Sequence, residues 1–327
     1  MKRRDFVRFI TLTGLGASFA PSTLFAGFKG SDKSAITGLR VGVIGLDTSH
    51  SKVFTQLINS GEVSGGYKVV AAYAQGSPDI PFAIEMRPRI TEAVKNMGVE
   101  IVDSIDALLA KVDVVLLETN DGRPHYEQAL PVLKAGKRMF IDKPVAHNLK
   151  DAQKIFAASK KYGTPIFSSS ALRYEENILK AKSGEYGKVI GADVYTPAAY
   201  DQHHLDMAWY GIHGVEMLFS LMGIGCIEVI RTHSEGTDVI TGRWKDGRIA
   251  SVRGIRQGAA NIAGTAYCEN GIVPVGPFTT YKPLVEEIVK FFDTGIVPVA
   301  AEDTLEIFRF MEAADRSKKS KKFEKLY

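Results

Sequence analysis

Cysteine, tryptophan and long apolar runs are scarce in this sequence, and these shortages exclude several classes of protein. Its 327 residues include two cysteines and two tryptophans. Cys226 and Cys268 show no spacing typical of a metal or redox motif, so we expect two buried free thiols. No internal apolar run reaches membrane-spanning length without a charged residue, glycine or proline. The length and the 45% content of hydrophobic residues predict a globular protein of two domains.

The N-terminus concentrates the positive charge. Lys2-Arg3-Arg4 precedes a moderately apolar run from Phe9 to Ala20, and Leu24-Phe25-Ala26 offers a cleavage site that ends in a small residue. Residues 1–26 therefore resemble a twin-arginine signal and residues 27–38 a linker. This predicts a periplasmic or otherwise exported protein with no membrane span in its mature form. A retained anchor is the alternative, although the apolar run is short for a span.

The charge of the remaining chain gives little support to nucleic-acid binding. Residues 1–26 carry a net +3 of the formal +4, so the rest is nearly neutral and no nucleic-acid partner is predicted. The twin-arginine route carries folded proteins, which suits a cofactor that is loaded before export.

Strand and helix patterns alternate between residues 39 and 170. Apolar runs alternate with helical spacings, whereas Gln75–Pro88 contains three prolines and is predicted to be a loop. The alternation predicts a Rossmann-like, doubly wound parallel sheet over this domain. The predicted strands are Leu39–Gly45, Tyr67–Tyr73, Glu100–Val102, Val112–Glu118, Arg138–Ile141 and Pro165–Ser168.

The pattern changes over residues 171–327. One long helix is predicted over Asp206–Met222, and successive strands with glycine-containing turns follow it. These features predict an α+β domain with an open, mainly antiparallel sheet that is polar on one face. Because an open sheet face needs a cover, a homo-oligomer that packs through the sheets is expected.

The stretch Phe140–Ala146 follows a predicted strand and precedes a predicted helix. Lys143 would therefore lie at the carboxyl end of a parallel strand, where open α/β sheets bind ligands. A lysine there can move the proton of a substrate hydroxyl if its surroundings lower its pKa. The alternative is a structural ion pair between Lys143 and Asp142.

The order of these features resembles the glucose–fructose oxidoreductase/inositol dehydrogenase (Gfo/Idh/MocA) family. The resemblance implies that Lys143 lies beside a nicotinamide and a substrate, and that His213, on a later helix, shares the site. It also implies an NAD(P)-dependent oxidoreductase that acts on a sugar, polyol or sugar acid. The stretches that carry it are Val114–Asn120, His125, Gly136–Pro144 and Arg173.

The phosphate-binding loop departs from the dinucleotide fingerprint Gly-x-Gly-x-x-Gly. Gly45 is present, but Asp47 and His50 replace the second and third glycines. A carboxylate near a pyrophosphate is repelled, and it also suits a helix N-terminus, so the loop can simply cap its own helix. Cofactor binding instead requires Asp47 to turn away, while Thr48, Ser49 and backbone amides hold the phosphates.

No acidic residue ends the second strand, where an NAD ribose is usually bound. Ser77 can accept a 2′-phosphate, which favours NADP over NAD, although an ordinary polar loop explains the same residues. The predicted cofactor-binding residues are Gly45, Thr48, Ser49, Ser77, Thr119, Asn120, His125, Asp142, Lys143 and Arg173.

Asp206, Tyr210 and His213 are spaced to share one face of the predicted helix. Together with Lys143 they are the predicted catalytic residues. The resemblance implies an aspartate one turn before the histidine, where this chain has Trp209 instead. His203, His204 and His213 lack a fourth ligand at a recognisable spacing, so no metal site is predicted.

Two functions follow from these residues. The preferred one is an NAD(P)-dependent oxidoreductase for a carbohydrate-like substrate, with a cofactor retained through turnover and with lyase or glycosidase chemistry through a transient keto-sugar also open. The alternative is a non-redox protein that binds carbohydrate or protein and no longer binds a nucleotide. Asp47, His50 and Trp209 motivate the alternative.

Overall fold

The computed structural model describes residues 38–327, which contain two sheets. The predicted signal and most of the predicted linker lie outside the described residues. The strands of the first sheet are β1 (Arg40–Ile44), β2 (Lys68–Tyr73), β3 (Glu100–Val102), β4 (Val114–Leu117), β5 (Met139–Ile141) and β6 (Ile166–Phe167). The helices between them are α1 (Ser49–Ser60), α2 (Pro81–Lys95), α3 (Ile105–Leu109), α4 (His125–Lys134) and α5 (Leu149–Tyr162).

The first sheet is parallel and has the order β3-β2-β1-β4-β5-β6. Its central strands are apolar on both faces, as a sheet covered by helices on both sides requires. Helix α5 has a cap at each end. Asn148 caps its N-terminus by accepting from the Asp151 amide at 2.9 Å, and Gly163 ends the helix at φ +64°. The predicted Rossmann-like sheet is confirmed.

The second part of the chain adds α6 and a seven-stranded sheet. A short 3₁₀ helix, Ala171–Tyr174, leads into α6 (Glu176–Lys182). The further elements are β7 (Val189–Pro197), α7 (Ile212–Met222), β8 (Cys226–Ser234), β9 (Thr237–Trp244), β10 (Ile249–Ile255), β11 (Ala263–Cys268), β12 (Gly271–Val275), α8 (Lys282–Thr294), α9 (Ala301–Ser320) and β13 (Glu324–Lys325).

The second sheet is open and mainly antiparallel, as predicted. Its order is β12-β11-β7-β10-β9-β8-β13, and the pair β7–β10 is parallel. One face is buried under α7 and α9, with Ala192, Val252 and Ile240 pointing into the core. Cys226 and Cys268 are buried free thiols, as the sequence predicted.

Helix α8 packs against the first sheet although it lies in the last part of the chain. Phe291 shares a core with Phe54 and Phe140, and its ring lies 5.0 Å from that of Phe167. This packing brings the start of α8, with Tyr281, to the start of α1. The predicted domain boundary after residue 170 stays a prediction. Among the described residues no helix is both long and apolar enough to cross a membrane.

Candidate active site

The carboxyl edge of the parallel sheet gathers the polar residues of the site. The strand order reverses between β1 and β4, and doubly wound sheets bind ligands in the crevice at such a reversal. Asp47 follows β1, Glu118 follows β4 and Asp142 follows β5, and all three side chains are buried. Three buried carboxyl groups at this edge would repel a polyanion.

Lys143 and His213 lie together at this edge. Lys143 is 8% exposed, and its Nζ lies 3.8 Å from Asp142 Oδ2. His213 stands in the first turn of α7, where Nδ1 lies 2.8 Å from Ser170 Oγ. Burial, followed by the nearby charges of Lys143 and His50, holds the pKa of His213 well below its usual value. His213 is therefore a neutral imidazole near pH 7.

Tyr210 forms the exposed side of this pair. Its ring meets His213 edge-on at 5.6 Å between centroids, and the residue is 45% exposed. Its hydroxyl is thus within reach of a ligand that approaches from solvent. The tyrosine suits the predicted role of binding a substrate hydroxyl.

His50 links three elements of the chain. Its Nδ1 lies 2.7 Å from Asp142 Oδ2, and its Nε2 lies 3.0 Å from the hydroxyl of Tyr281 at the start of α8. The ring stacks on Phe54 one turn later in α1. Burial raises the pKa of the Asp142 carboxyl, but His50 and Lys143 outweigh it and lower that pKa overall. Asp142 is therefore ionised between two partners.

Glu118 is the least satisfied group of the site. It is completely buried, and neither carboxyl oxygen has a hydrogen-bond partner among residues 38–327. Burial and the charge of Asp142 raise its pKa well above the usual value, while Lys143 opposes them. Burying an ionised glutamate without partners costs folding free energy, so this group requires a proton or a cation.

Asp47 occupies the crevice with its own side chain. Its Oδ2 accepts the Ser77 amide at 2.8 Å and its Oδ1 accepts the Asn120 amide at 3.0 Å. A Cβ on Gly76 would lie 2.5 Å from the same carboxylate. Burial raises the pKa of Asp47, although the two amides oppose this shift. The carboxylate thus joins the loops after β2 and β4 across the crevice.

Further polar contacts join the same two loops. Ser77 Oγ donates to Asp121 Oδ2 at 3.0 Å, and Arg123 pairs with both Asp79 and Asp121. His204, from the second part of the chain, accepts the amide of the residue that follows Asp121 at 3.1 Å. These contacts join the two loops across the crevice at which a doubly wound sheet binds its ligand.

A comparison with known protein families matches the first part of the described chain. Residues 39–169 match the family model GFO_IDH_MocA, described as an oxidoreductase family with an NAD-binding Rossmann fold. Over these residues, which are less than half of the chain, the sequence is similar to the Gfo/Idh/MocA family. The resemblance predicted from the stretch around Lys143 is confirmed.

Curated relatives of the family match only part of this chain. The uncharacterized oxidoreductase YhhX of Escherichia coli (strain K12) is 30% identical over 132 residues, which are 36% of this chain and 38% of that protein. The inositol 2-dehydrogenase of Salmonella typhimurium is 26% identical over 199 residues, 58% of this chain and 54% of that protein. The chain thus spans about half of the length of these relatives, or less.

A solved structure extends the likeness to the second sheet. Scyllo-inositol dehydrogenase from Lactobacillus casei, with bound NAD(H) and scyllo-inositol, has a TM-score of 0.70 and 14% sequence identity. The match covers 88% of this chain and 99% of that one. At this identity the likeness concerns the fold alone.

Of the predicted catalytic residues, Asp206 lies away from the other three. The helix predicted over Asp206–Met222 is wrong in its first turns, since α7 begins only at Ile212. Asp206 Oδ2 instead pairs with Arg231 at 2.8 Å and with Lys318 at 2.9 Å. Asp206 is therefore part of an ion-pair network under the second sheet and does not contact His213.

Three predicted cofactor residues serve the protein's own structure. Ser77 is completely buried between Asp47 and Asp121, so it does not present a hydroxyl to a 2′-phosphate. His125 has Nδ1 at 3.1 Å from the Val145 carbonyl and Nε2 at 2.7 Å from the Thr119 carbonyl. Arg173 forms a buried ion pair with Glu216 of α7.

The remaining loop residues keep their predicted positions. Gly45 has φ +90°, and a Cβ there would lie 2.3 Å from the Thr119 nitrogen, so only glycine fits. Thr48 caps α1 by accepting the His50 amide at 3.4 Å, and Ser49 begins that helix at the surface. Thr119 Oγ1 is buried without a partner in the described part of the chain.

Sequence reasoning missed Glu118 and Tyr281 and treated His50 only as a departure from the fingerprint. Glu118 could have been recognised, because a charged residue directly after the run Val-Val-Leu-Leu must be buried at the strand end. Tyr281 carries no such local sign, since 231 residues separate it from His50. Its role depends on where α8 packs.

The histidines weighed earlier as metal ligands are kept apart. His203 and His204 both contact Asp201, at 3.2 and 2.7 Å, whereas His213 contacts Ser170. A different trio comes together instead: ligand atoms of His50, Glu118 and Asp142 lie within 4.8 Å of one another.

Proposed function

We propose that this protein is an oxidoreductase for a polyhydroxylated small molecule, a sugar, polyol or sugar acid, with NAD or NADP as the cofactor that its family fold implies. The observation that carries the proposal is the pair of Lys143 and His213 at the switch point of the parallel sheet. The inositol 2-dehydrogenase among the relatives supports a polyol-like substrate.

The pair suits proton transfer at a substrate hydroxyl. Since the pKa of His213 is held well below its usual value, the ring is neutral near pH 7. In the tautomer whose Nδ1–H donates to Ser170 Oγ, Nε2 can accept a hydroxyl proton. That atom makes no hydrogen bond to the described residues. Lys143 supplies a cationic donor that stabilises negative charge on the substrate oxygen. Tyr210 adds a hydroxyl at the solvent side.

The crevice imposes a condition on this proposal. We expect a dinucleotide to compete with the contacts that Asp47 makes with the Ser77 and Asn120 amides. We therefore derive no catalytic step through the cofactor. The closed crevice also supports the second candidate, a carbohydrate- or protein-binding member of the family that has lost nucleotide binding.

Export and assembly belong to the same proposal. A twin-arginine signal over residues 1–26 would deliver a folded periplasmic protein, and a retained cofactor would then replace a free nucleotide pool. The outer face of the second sheet supports a homo-oligomer, because Tyr195, Ile249 and Ile272 are exposed on it at 37%, 57% and 70%.

One experiment separates the two candidates. The full chain is purified without added nucleotide and denatured, and the supernatant is analysed for NAD and NADP by mass spectrometry. Protein without a cofactor is then titrated with each nucleotide and tested for turnover on a panel of inositols, sugars and sugar acids. A Lys143→Met variant serves as the control for turnover.

The oxidoreductase proposal predicts a bound or titratable dinucleotide and turnover that Lys143→Met lowers by about 10²-fold or more. A folded protein that contains no dinucleotide, binds none and oxidises nothing in the panel would refute the redox function. If that protein still binds a carbohydrate, and Lys143→Met keeps this affinity, the second candidate holds.

A further inference from the structure

The acidic edge of the site contains a ready set of metal ligands. The nearest ligand atoms of His50, Glu118 and Asp142 lie within 4.8 Å of one another, and all three residues are buried. Atoms bound at about 2.0–2.3 Å from one ion lie within about 4.6 Å of each other. The three side chains come from α1 and from the ends of β4 and β5, so the fold itself brings them together.

The two carboxyl groups of the trio keep oxygen lone pairs free for an ion. Both carboxyl oxygens of Glu118 and Oδ1 of Asp142 are buried without a partner among residues 38–327. Buried polar atoms are nearly always satisfied in folded proteins, so each orphaned oxygen needs an explanation. A cation between the carboxylates satisfies both residues at once.

His50 is oriented as a metal-binding histidine. Its Nε2 lies 3.0 Å from the Tyr281 hydroxyl, and its Nδ1 faces Asp142 Oδ2 at 2.7 Å. Ligating histidines are usually held by a hydrogen bond through the second ring nitrogen, which fixes their tautomer and direction. Tyr281 takes this part, and Nδ1 would exchange its hydrogen bond with Asp142 Oδ2 for a bond to the ion.

The surrounding charges agree with a divalent ion. Two carboxylates face one ammonium, that of Lys143, whose Nζ lies 3.8 Å from Asp142 Oδ2. A divalent cation balances the carboxylates and leaves Lys143 free to face a substrate.

We propose that His50, Glu118 and Asp142 bind one divalent transition-metal ion beside Lys143. One imidazole nitrogen and two carboxylate oxygens suit Zn²⁺ or Mn²⁺ better than Mg²⁺ or Ca²⁺, which prefer oxygen ligands alone. Three protein ligands leave at least one coordination position open. This site does not depend on the proposed oxidoreductase function.

The test measures metal content without substrate or nucleotide. The full chain is purified without a polyhistidine tag or chelator, and its zinc and manganese are counted by plasma mass spectrometry. Chelated protein is then titrated with each ion while its melting temperature is followed. Two variants, Glu118→Gln and Asp142→Asn, are compared with Glu306→Gln. Glu306 is a matched buried control, because it accepts the amides of Gly225 and Cys226 at 2.6 and 2.8 Å.

We expect about one ion per chain in the wild type and in Glu306→Gln. Occupancy should fall at least tenfold in Glu118→Gln and Asp142→Asn, and these variants should lose the rise in melting temperature on titration. A folded wild type that is metal-free and unchanged by either ion would overturn the proposal and leave Glu118 protonated. Full occupancy in Glu118→Gln would overturn it as well.

If a variant does not fold, the wild type still decides the question. Cobalt substitution of the chelated wild type should give an absorption spectrum of a bound ion with nitrogen and oxygen ligands. Cobalt that binds only as the hexaaqua ion contradicts the proposal. Because no turnover is measured, failure of the oxidoreductase function leaves these results unaffected.

Discussion

The Asp47 side chain bridges the crevice between the loops after β2 and β4. Where the fingerprint has a glycine, its carboxylate accepts two backbone amides, from Ser77 and Asn120, in a fully buried position. Hydrogen bonds from amides to a charged acceptor are among the stronger ones in proteins. A pyrophosphate at the start of α1 would meet the like charge of this carboxylate.

Replacing Asp47 with glycine should open this crevice. Asp47→Gly removes the carboxylate and restores the Gly-x-Gly pattern, so NAD or NADP should bind at least tenfold more tightly in a calorimetric titration. The same variant should lose about 1–3 kcal/mol of unfolding free energy, because two amides lose their acceptor. Asp103→Gly, at an exposed position, is the control. Unchanged or weaker nucleotide binding in Asp47→Gly would show that Asp47 does not close the site.

His213 couples the site to pH. Its pKa is lowered in the folded protein, mainly by burial and then by Lys143 and His50. Below the unfolded pKa of about 6.5 the unfolded chain therefore binds a proton that the folded chain rejects. The contribution of His213 to stability is complete above this pH and is lost as the pH falls toward the folded value.

The difference in unfolding free energy between the wild type and His213→Gln should follow this rule. Below pH 6.5 the difference should shrink by up to about 1.4 kcal/mol per pH unit. Urea unfolding between pH 5 and 8 measures it. A difference that stays constant across this range would mean that His213 titrates normally, and NMR titration of the ring provides an independent reading.

Helices α2 and α7 show how single residues move the ends of an element. Pro81 begins α2 because proline suits the first helical turn, and Pro88 is tolerated inside because it lies on the exposed face, where the freed carbonyl reaches water. The predicted loop over Gln75–Pro88 is therefore wrong beyond Ile80. Turns precede α7, and Gly211 lies so close to Met207 that a Cβ there would be 2.7 Å from the Met207 side chain.

Helix α8 has the largest structural consequence. It lies near the end of the chain, yet it completes the core under the first sheet and delivers Tyr281 to His50. The Rossmann-like part of the protein is therefore stabilised by a distant segment.

Truncating Phe291 should reveal this dependence. Phe291→Ala removes a fully buried ring from the core under the first sheet and should cost about 3–5 kcal/mol of unfolding free energy. Phe82→Ala is the matched control, since Phe82 is 59% exposed and should cost well under 1 kcal/mol. Denaturant unfolding gives both values. A loss below about 1 kcal/mol at Phe291 would contradict the packing of α8.

For the whole molecule, the outer face of the second sheet is the main unpaired surface of the described chain. Tyr195, Ile249 and Ile272 are exposed on strands that alternate buried and exposed residues. An apolar strip on an otherwise polar sheet is typical of a surface that pairs with another copy.

A charge on this face should break the proposed homo-oligomer. Ile249→Glu places a carboxylate on this face, at the start of β10, and should lower the molar mass measured by light scattering to that of one chain. Ile296→Glu, at a residue 71% exposed outside the two sheets, should leave the mass unchanged. If the wild type is a monomer, or Ile249→Glu assembles like it, another surface is responsible.

The sequence alone determined the order of the strands in the first part of the chain and the position of Lys143. Apolar runs and glycines at strand ends are local patterns, so they predicted the parallel sheet, Gly45 and the lysine at the carboxyl end of β5. His213 was also found, because the resemblance depends on residue order along the chain. These features need only neighbours in sequence.

The tertiary structure alone decided what the polar residues do. The partners of Asp47, His50 and Asp206 lie tens to hundreds of residues away, and no local pattern reports such distances. Whether a carboxylate pairs with an amide, a histidine or an arginine depends on which strand ends and helices meet in space. The closed crevice and the trio of His50, Glu118 and Asp142 therefore became visible only in the folded chain.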